Sequence, residues 1–168
     1  MNLTLNPVAL AFGMSATPRS ITAIATVAPA IDRINDLPGL PMTGHKRAEI
    51  ETGYELAYLN MTRGAGSAES MDFIVTALNV AMVLAEMGFA PEYLELIVRA
   101  QEGAFRTVTR GLAGGRWAFN GADIALIREA LDVHSAQLEV AAKRDIKGAL
   151  AMVEHRKKIG VVYSTEPA

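Results

Sequence analysis

The stretch FIVTALNVAMVLAEMGF, Phe73 to Phe89, is the most apolar part of the chain and decides the fold. Its polar residues are not scattered. Asp72, Thr76, Asn79 and Glu86 fall on one narrow stripe at helical spacing, with Val83 between them. Everything else from Phe73 to Met87 is apolar or small. A helix wrapped in apolar surface on most sides sits centrally and touches several neighbours. Ser67 supplies an N-cap, and Glu69 and Asp72 lie in the first turn, where the helix dipole favours negative charge. Gly88 offers a left-handed stop. The pattern therefore predicts a central helix over about 68–87 in an all-α bundle.

Helical signals continue on both sides. Thr43 is placed to cap a first helix whose inward face reads Ile50, Tyr54, Ala57 and Met61. Gly53 weakens it by roughly 1 kcal/mol relative to Ala, and RGAGSAES (Arg63 to Ser70) ends it. Pro91 suits the first turn of a third helix. Its inward face reads Leu94, Ile97, Gln101, Phe105 or Ala104, Val108 and Leu112. Glu95 with Arg99 and Glu102 with Arg106 stand four apart on the opposite face, and Arg110 continues that line without an acidic partner.

Asn120 is placed to cap a fourth helix that runs to about Lys158. Ile124, Ile127, Leu131, Leu138, Ala142, Ile146, Ala149 and Val153 make one stripe along it. Gly148 and the run KRD (Lys143 to Asp145) are the expected places for a bend. Unbroken, this helix would span roughly 50–60 Å and overhang the others. An overhang with an apolar face needs a partner, which predicts a homo-oligomer.

Residues 1–42 differ from the rest. Five of the seven prolines lie there, with only Arg19, Asp32, Arg33 and Asp36 as charges. Proline breaks helices, yet SITAIATVA (Ser20 to Ala28) is too apolar for a comfortable free tail. The segment reads as an extended, partly ordered arm, or as an arm that docks on a partner or a second copy. Residues 43–160 form the helical domain and 161–168 a tail.

The 168 residues suffice for one domain with a real core, and 51% are hydrophobic. Lys plus Arg is 16 against 18 for Asp plus Glu, so no global charge pulls the chain toward nucleic acid or anionic lipid. With no cysteine, a disulfide scaffold, a Cys-ligated zinc site, an iron–sulfur cluster and a thiol nucleophile are excluded. No run reaches the roughly 18 uninterrupted apolar residues of a membrane span, so no membrane partner is expected. The start lacks the early Lys or Arg of a signal peptide, although ATVAPA (Ala25 to Ala30) loosely matches a cleavage site. A cytoplasmic location is expected.

GLAGGRWAFNG, Gly111 to Gly121, sets four glycines around the single tryptophan. It matches neither G-x-x-x-x-G-K-[ST] nor G-x-G-x-x-G, and no strand precedes it. Gly111, Gly114 or Gly115 ends the third helix, and Trp117 and Phe119 pin the loop to the bundle. Alternatively, Arg116, Trp117 and Phe119 form a partner surface, since exposed Trp and Arg are typical interface anchors. His45, His134 and His155 stand in no H-E-x-x-H or E-x-x-H pattern, so no metal is expected. Asn79 and Glu86 are a candidate polar core for a ligand pocket. No catalytic residue and no cofactor is assigned. Lys143, Arg144, Lys147, Arg156, Lys157 and Lys158 form a candidate nucleic-acid patch. The last three also complement the helix dipole without further function. No helix-turn-helix pattern is visible there.

MDFIVTALNVAMVLAEMG (Met71 to Gly88), GRWAFNG, ALDVHSAQLEVA (Ala130 to Ala141) and a basic C-terminal helix together resemble a group of small helical proteins. They occur in proteobacterial genomes and their phages or plasmids, and some are labelled Fis-type transcriptional regulators. The likeness covers residues 45–158, with Asn79, Trp117 and Gln137 most distinctive. It implies no particular activity. The function expected is that of a non-enzymatic accessory protein that binds another protein, as a phage- or plasmid-type inhibitor or adaptor. The alternatives are a nucleic-acid-associated regulator and a small-ligand binder or enzyme.

Overall fold

The computed structural model describes residues 39–159, so the expected arm lies outside them but for 39–42, and so does the tail over 161–168. The described residues fold as five α-helices without a strand. They are α1 (Gly44–Arg63), α2 (Ala68–Glu86), α3 (Leu94–Leu112, after a 3-10 turn Pro91–Tyr93), α4 (Gly121–Val140) and α5 (Lys143–Lys158). The fold is all-α.

The apolar stretch forms the central element, as its pattern requires. α2 packs against all four other helices. Ile74, Leu78, Ala81 and Leu84 are wholly buried on it. Each of the three larger side chains, Ile74, Leu78 and Leu84, contributes about 1.5–3 kcal/mol when removed from water. Of the described helices, α2 is the one long and apolar enough to cross a membrane, and most of it is buried among its neighbours. Its polar stripe runs from solvent into the core: Asp72 and Thr76 are exposed, whereas Asn79 and Val83 are buried. Ser67 caps α2 by accepting from the Ser70 N–H at 3.1 Å, and Thr43 caps α1 through the Lys46 N–H at 3.5 Å. Gly88 follows α2 with φ +99°.

On α1, Tyr54, Ala57 and Met61 face inward, but Ile50 is exposed. On α3 the inward residue is Ala104, 1% exposed, and Phe105 is 45% exposed. Leu112 also points outward, and Gly111 takes its buried position. Arg106 pairs with the buried Asp123 of α4 at 2.6 Å.

The fourth helix is not continuous. Ala141 and Ala142 are extended, with ψ 137° and 155°, and separate α4 from α5. The break has non-local causes. The Lys143 N–H donates to the Leu40 carbonyl at 2.9 Å, and Pro41 bridges Ala142. The Asp145 carboxylate then caps α5 by accepting the Ala142 N–H at 3.2 Å. The bend thus falls immediately before KRD and well before Gly148. The apolar stripe survives the break, since Ile127, Leu131 and Leu138 on α4 and Ile146, Ala149 and Val153 on α5 are all buried. Because α5 packs on α2, no single long helix overhangs the bundle. The argument for an oligomer built on that overhang falls with it.

Candidate functional site: the Arg116–Trp117 loop

Two glycine-rich turns meet at one end of the bundle, the α1–α2 turn and the α3–α4 loop. Met61 ends the buried face of α1, and its carbonyl accepts the Phe119 N–H at 3.3 Å. Phe119 is buried, with its ring centroid 5.9 Å from that of Tyr58. Gly64 follows α1 with φ +71°, a conformation that suits glycine. The Arg116 guanidinium lies where a side chain at Gly64 would stand, and its Nε donates to the Gly64 carbonyl at 3.4 Å. The Trp117 indole occupies the equivalent space over Gly111.

The sequence did not single out the residue that organises this loop. Arg110, the cation left without an acidic partner on α3, donates to main-chain and side-chain oxygens instead. Its guanidinium reaches the carbonyls of Arg116 (3.4 Å) and Ala118, the Asn120 Oδ1 (3.1 Å) and the Thr107 hydroxyl (3.4 Å). Its missing carboxylate was the available signal. Asn120 occupies the N-cap position of α4 but makes no side-chain cap, because its Oδ1 faces Arg110. Of the predicted trio, Arg116 is exposed, Trp117 half-buried and Phe119 part of the core.

Asn79 and Glu86 are not brought together. Asn79, 3% exposed, accepts a hydrogen bond from the Gln101 Nε2 at 2.9 Å. Glu86 lies two turns on and accepts both guanidinium nitrogens of Arg156, at 3.1 and 2.6 Å. Those hydrogen bonds raise the Arg156 guanidinium above its ordinary value. The second distinctive amide, Gln137, donates to the carbonyls of Ala81 (3.1 Å) and Phe89 (2.8 Å), joining α4 to the end of α2.

The basic patch is divided in the same way. Lys143 is 8% exposed, Arg156 is engaged by Glu86, and Lys157 is half-buried. Arg144, Lys147 and Lys158 remain on the surface, with Arg144 Nε 3.5 Å from the Asp145 carboxylate.

His45 has a carboxylate four residues on, with the Glu49 carboxylate 3.2 Å from its Nε2. Among the described residues no three His, Asp or Glu side chains gather as metal ligands. His134 is buried between α4 and α1, with its ring centroid 5.8 Å from that of Tyr54. Burial pushes its pKa down to about 4. Burial also pushes the Tyr54 phenol up to about 12, with the Glu51 carboxylate adding to the shift.

A polar seam between α1 and α4 was not legible as a unit. Arg128 grips both oxygens of Glu55, at 2.6 and 2.7 Å, and lies 5.3 Å from the Tyr58 ring centroid. Ser135 donates to Glu51 at 2.6 Å, and Arg47 meets Glu139 at 3.1 Å. Partners rise along α1 as they fall along α4, so the two helices run antiparallel. Comparison with protein-family models, with curated proteins and with solved structures gives no match.

Proposed function

We propose that the chain is a non-enzymatic bacterial accessory protein that acts by binding another protein, as a phage- or plasmid-type inhibitor or adaptor. The accessory-genome setting rests on the resemblance over residues 45–158. The contact surface is the α3–α4 loop, and one observation carries it. Arg116 is exposed beside the half-buried Trp117, on a loop already fastened by Arg110 to the carbonyls of Arg116 and Ala118. Arg and Trp dominate binding energy at protein interfaces. A loop ordered before binding loses little entropy on binding, about 0.5–1.5 kcal/mol less for each side chain already fixed.

The test is a pull-down from host lysate with the wild-type chain and with Arg116→Glu, each with and without nuclease, read by mass spectrometry. A stoichiometric protein that survives nuclease and is lost with Arg116→Glu supports the reading. Arg116 is exposed, so this variant separates binding from folding better than a change at Trp117. Partners that vanish with nuclease would transfer the assignment to a nucleic-acid regulator using Arg144, Lys147 and Lys158. Capture that ignores Arg116→Glu would remove the loop from the interface.

A further inference from the structure

The outward faces of the last two helices carry opposite charge. On α4 the exposed positions Ala125, Glu129, Asp132, Ala136 and Glu139 recur at spacings of four, three, four and three, which is one face of the helix. They lie opposite the buried Ile127, Leu131, His134 and Leu138. On α5 the exposed positions Arg144, Lys147, Ala151, His155 and Lys158 make the corresponding face, opposite the buried Ile146, Ala149 and Val153. α5 holds six of the chain's 16 Lys and Arg against two acids, and α4 holds four acids against Arg128. Of the exposed acids on α4, Asp132 also pairs with Arg128 and Glu139 with Arg47 of α1, and the Glu51 and Glu55 carboxylates beside those two arginines leave the surface acidic on balance.

Neither face meets the other within one chain, because both point away from the same core. The three acids extend over about 15 Å and the three cations over about 21 Å at helical rise. Alanine lies between the charges on each face, which lets two helices approach closely.

We propose that these faces are the two halves of a homodimer contact, with α5 of one copy laid on α4 of a second copy. A two-fold axis makes the contact twice and closes the assembly, because each chain supplies both signs. The occupant is a second copy because the complementary surface is already present in the same chain, on the next helix. Leu150 and Met152 flank the basic face and are exposed, which adds apolar area at its margins. Glu154 lies at one edge and opposes the contact slightly. The inference is independent of the Arg116–Trp117 loop, which belongs to the other end of α4.

Sedimentation of the full chain in low salt tests it, with two charge-reversed variants. One carries Lys147→Glu with Lys158→Glu, the other Glu129→Lys with Ala136→Lys, which leaves the Arg47–Glu139 pair in place. Each variant alone should dimerise at least about tenfold more weakly than wild type. An equimolar mixture should restore the dimer, because each reversed face then meets an opposite one. Raising salt should weaken the wild-type dimer, since exposed charges are screened within about 10 Å at 0.1 M. Circular dichroism checks that the variants keep their helicity, and Lys147→Gln with Lys158→Gln replaces a reversal that does not. A wild-type chain that stays monomeric overturns the proposal. So does a dimer indifferent to both variants, or variants that fail to rescue each other.

Discussion

The Trp117 indole rests against the bare Cα of Gly111, so close that a Cβ there would lie 2.5 Å from two ring carbons. Gly111 is buried within the last turn of α3, and the ring belongs to the loop that follows it. Gly111→Ala should therefore expel the indole rather than improve the helix. The propensity gain of about 1 kcal/mol for Ala over Gly is outweighed by overpacking of about 1–3 kcal/mol. Net destabilisation, read by urea titration, should come with a red shift in emission from the single tryptophan. An alanine variant that is more stable, with unchanged emission, would show that the ring is not seated on Gly111.

How much of this was legible follows from where each cause lies in the chain. The central helix was readable because its apolar surround is a local pattern over Phe73–Met87. Caps at Thr43 and Ser67 were readable because the acceptor and the N–H it satisfies are three residues apart. The break at Ala141–Ala142 was not, because Leu40 and Pro41, a hundred residues away, help make it. Two alanines in a continuous apolar stripe carry no stop signal. The site divided along the same line. Arg116 and Trp117 could be singled out as an unusual pair. The fate of Glu86 depended on Arg156, seventy residues on, and that of Asn79 on Gln101 of another helix.

Arg110 is the second element of the loop to test. Arg110→Met keeps much of the aliphatic stem but removes every donor to Arg116, Ala118 and Asn120. Hydrogen bonds from a charged donor contribute about 1.5–3 kcal/mol each when buried. These are part-exposed, so the expected total is nearer 1–2 kcal/mol. The loss should be local. Amide exchange should quicken across residues 113–120, while amides in the middle of α2 slow or quicken only with global stability. If protection in the loop is unchanged, the glycine contacts alone hold it.

His134 makes stability depend on pH in a direction that its burial fixes. Its ring is 2% exposed, and burial depresses its pKa from 6.5 to about 4, with the Gln137 side chain acting weakly the other way. The folded state therefore favours the neutral imidazole. Its contribution is complete above the unfolded value of 6.5 and is lost as pH falls from there through about 4. Below both values the loss amounts to about 3 kcal/mol. Denaturant titrations at pH 7.5 and pH 4.5 should therefore show wild type losing about 2–3 kcal/mol more than His134→Asn over the same interval. All other ionisable groups are common to both proteins, so the difference between the two isolates the imidazole. The variant should be the less stable at pH 7.5, because it gives up packing against Tyr54, and the gap should narrow or reverse at pH 4.5. A constant gap across the two pH values would mean that the protonated ring is accommodated where it stands.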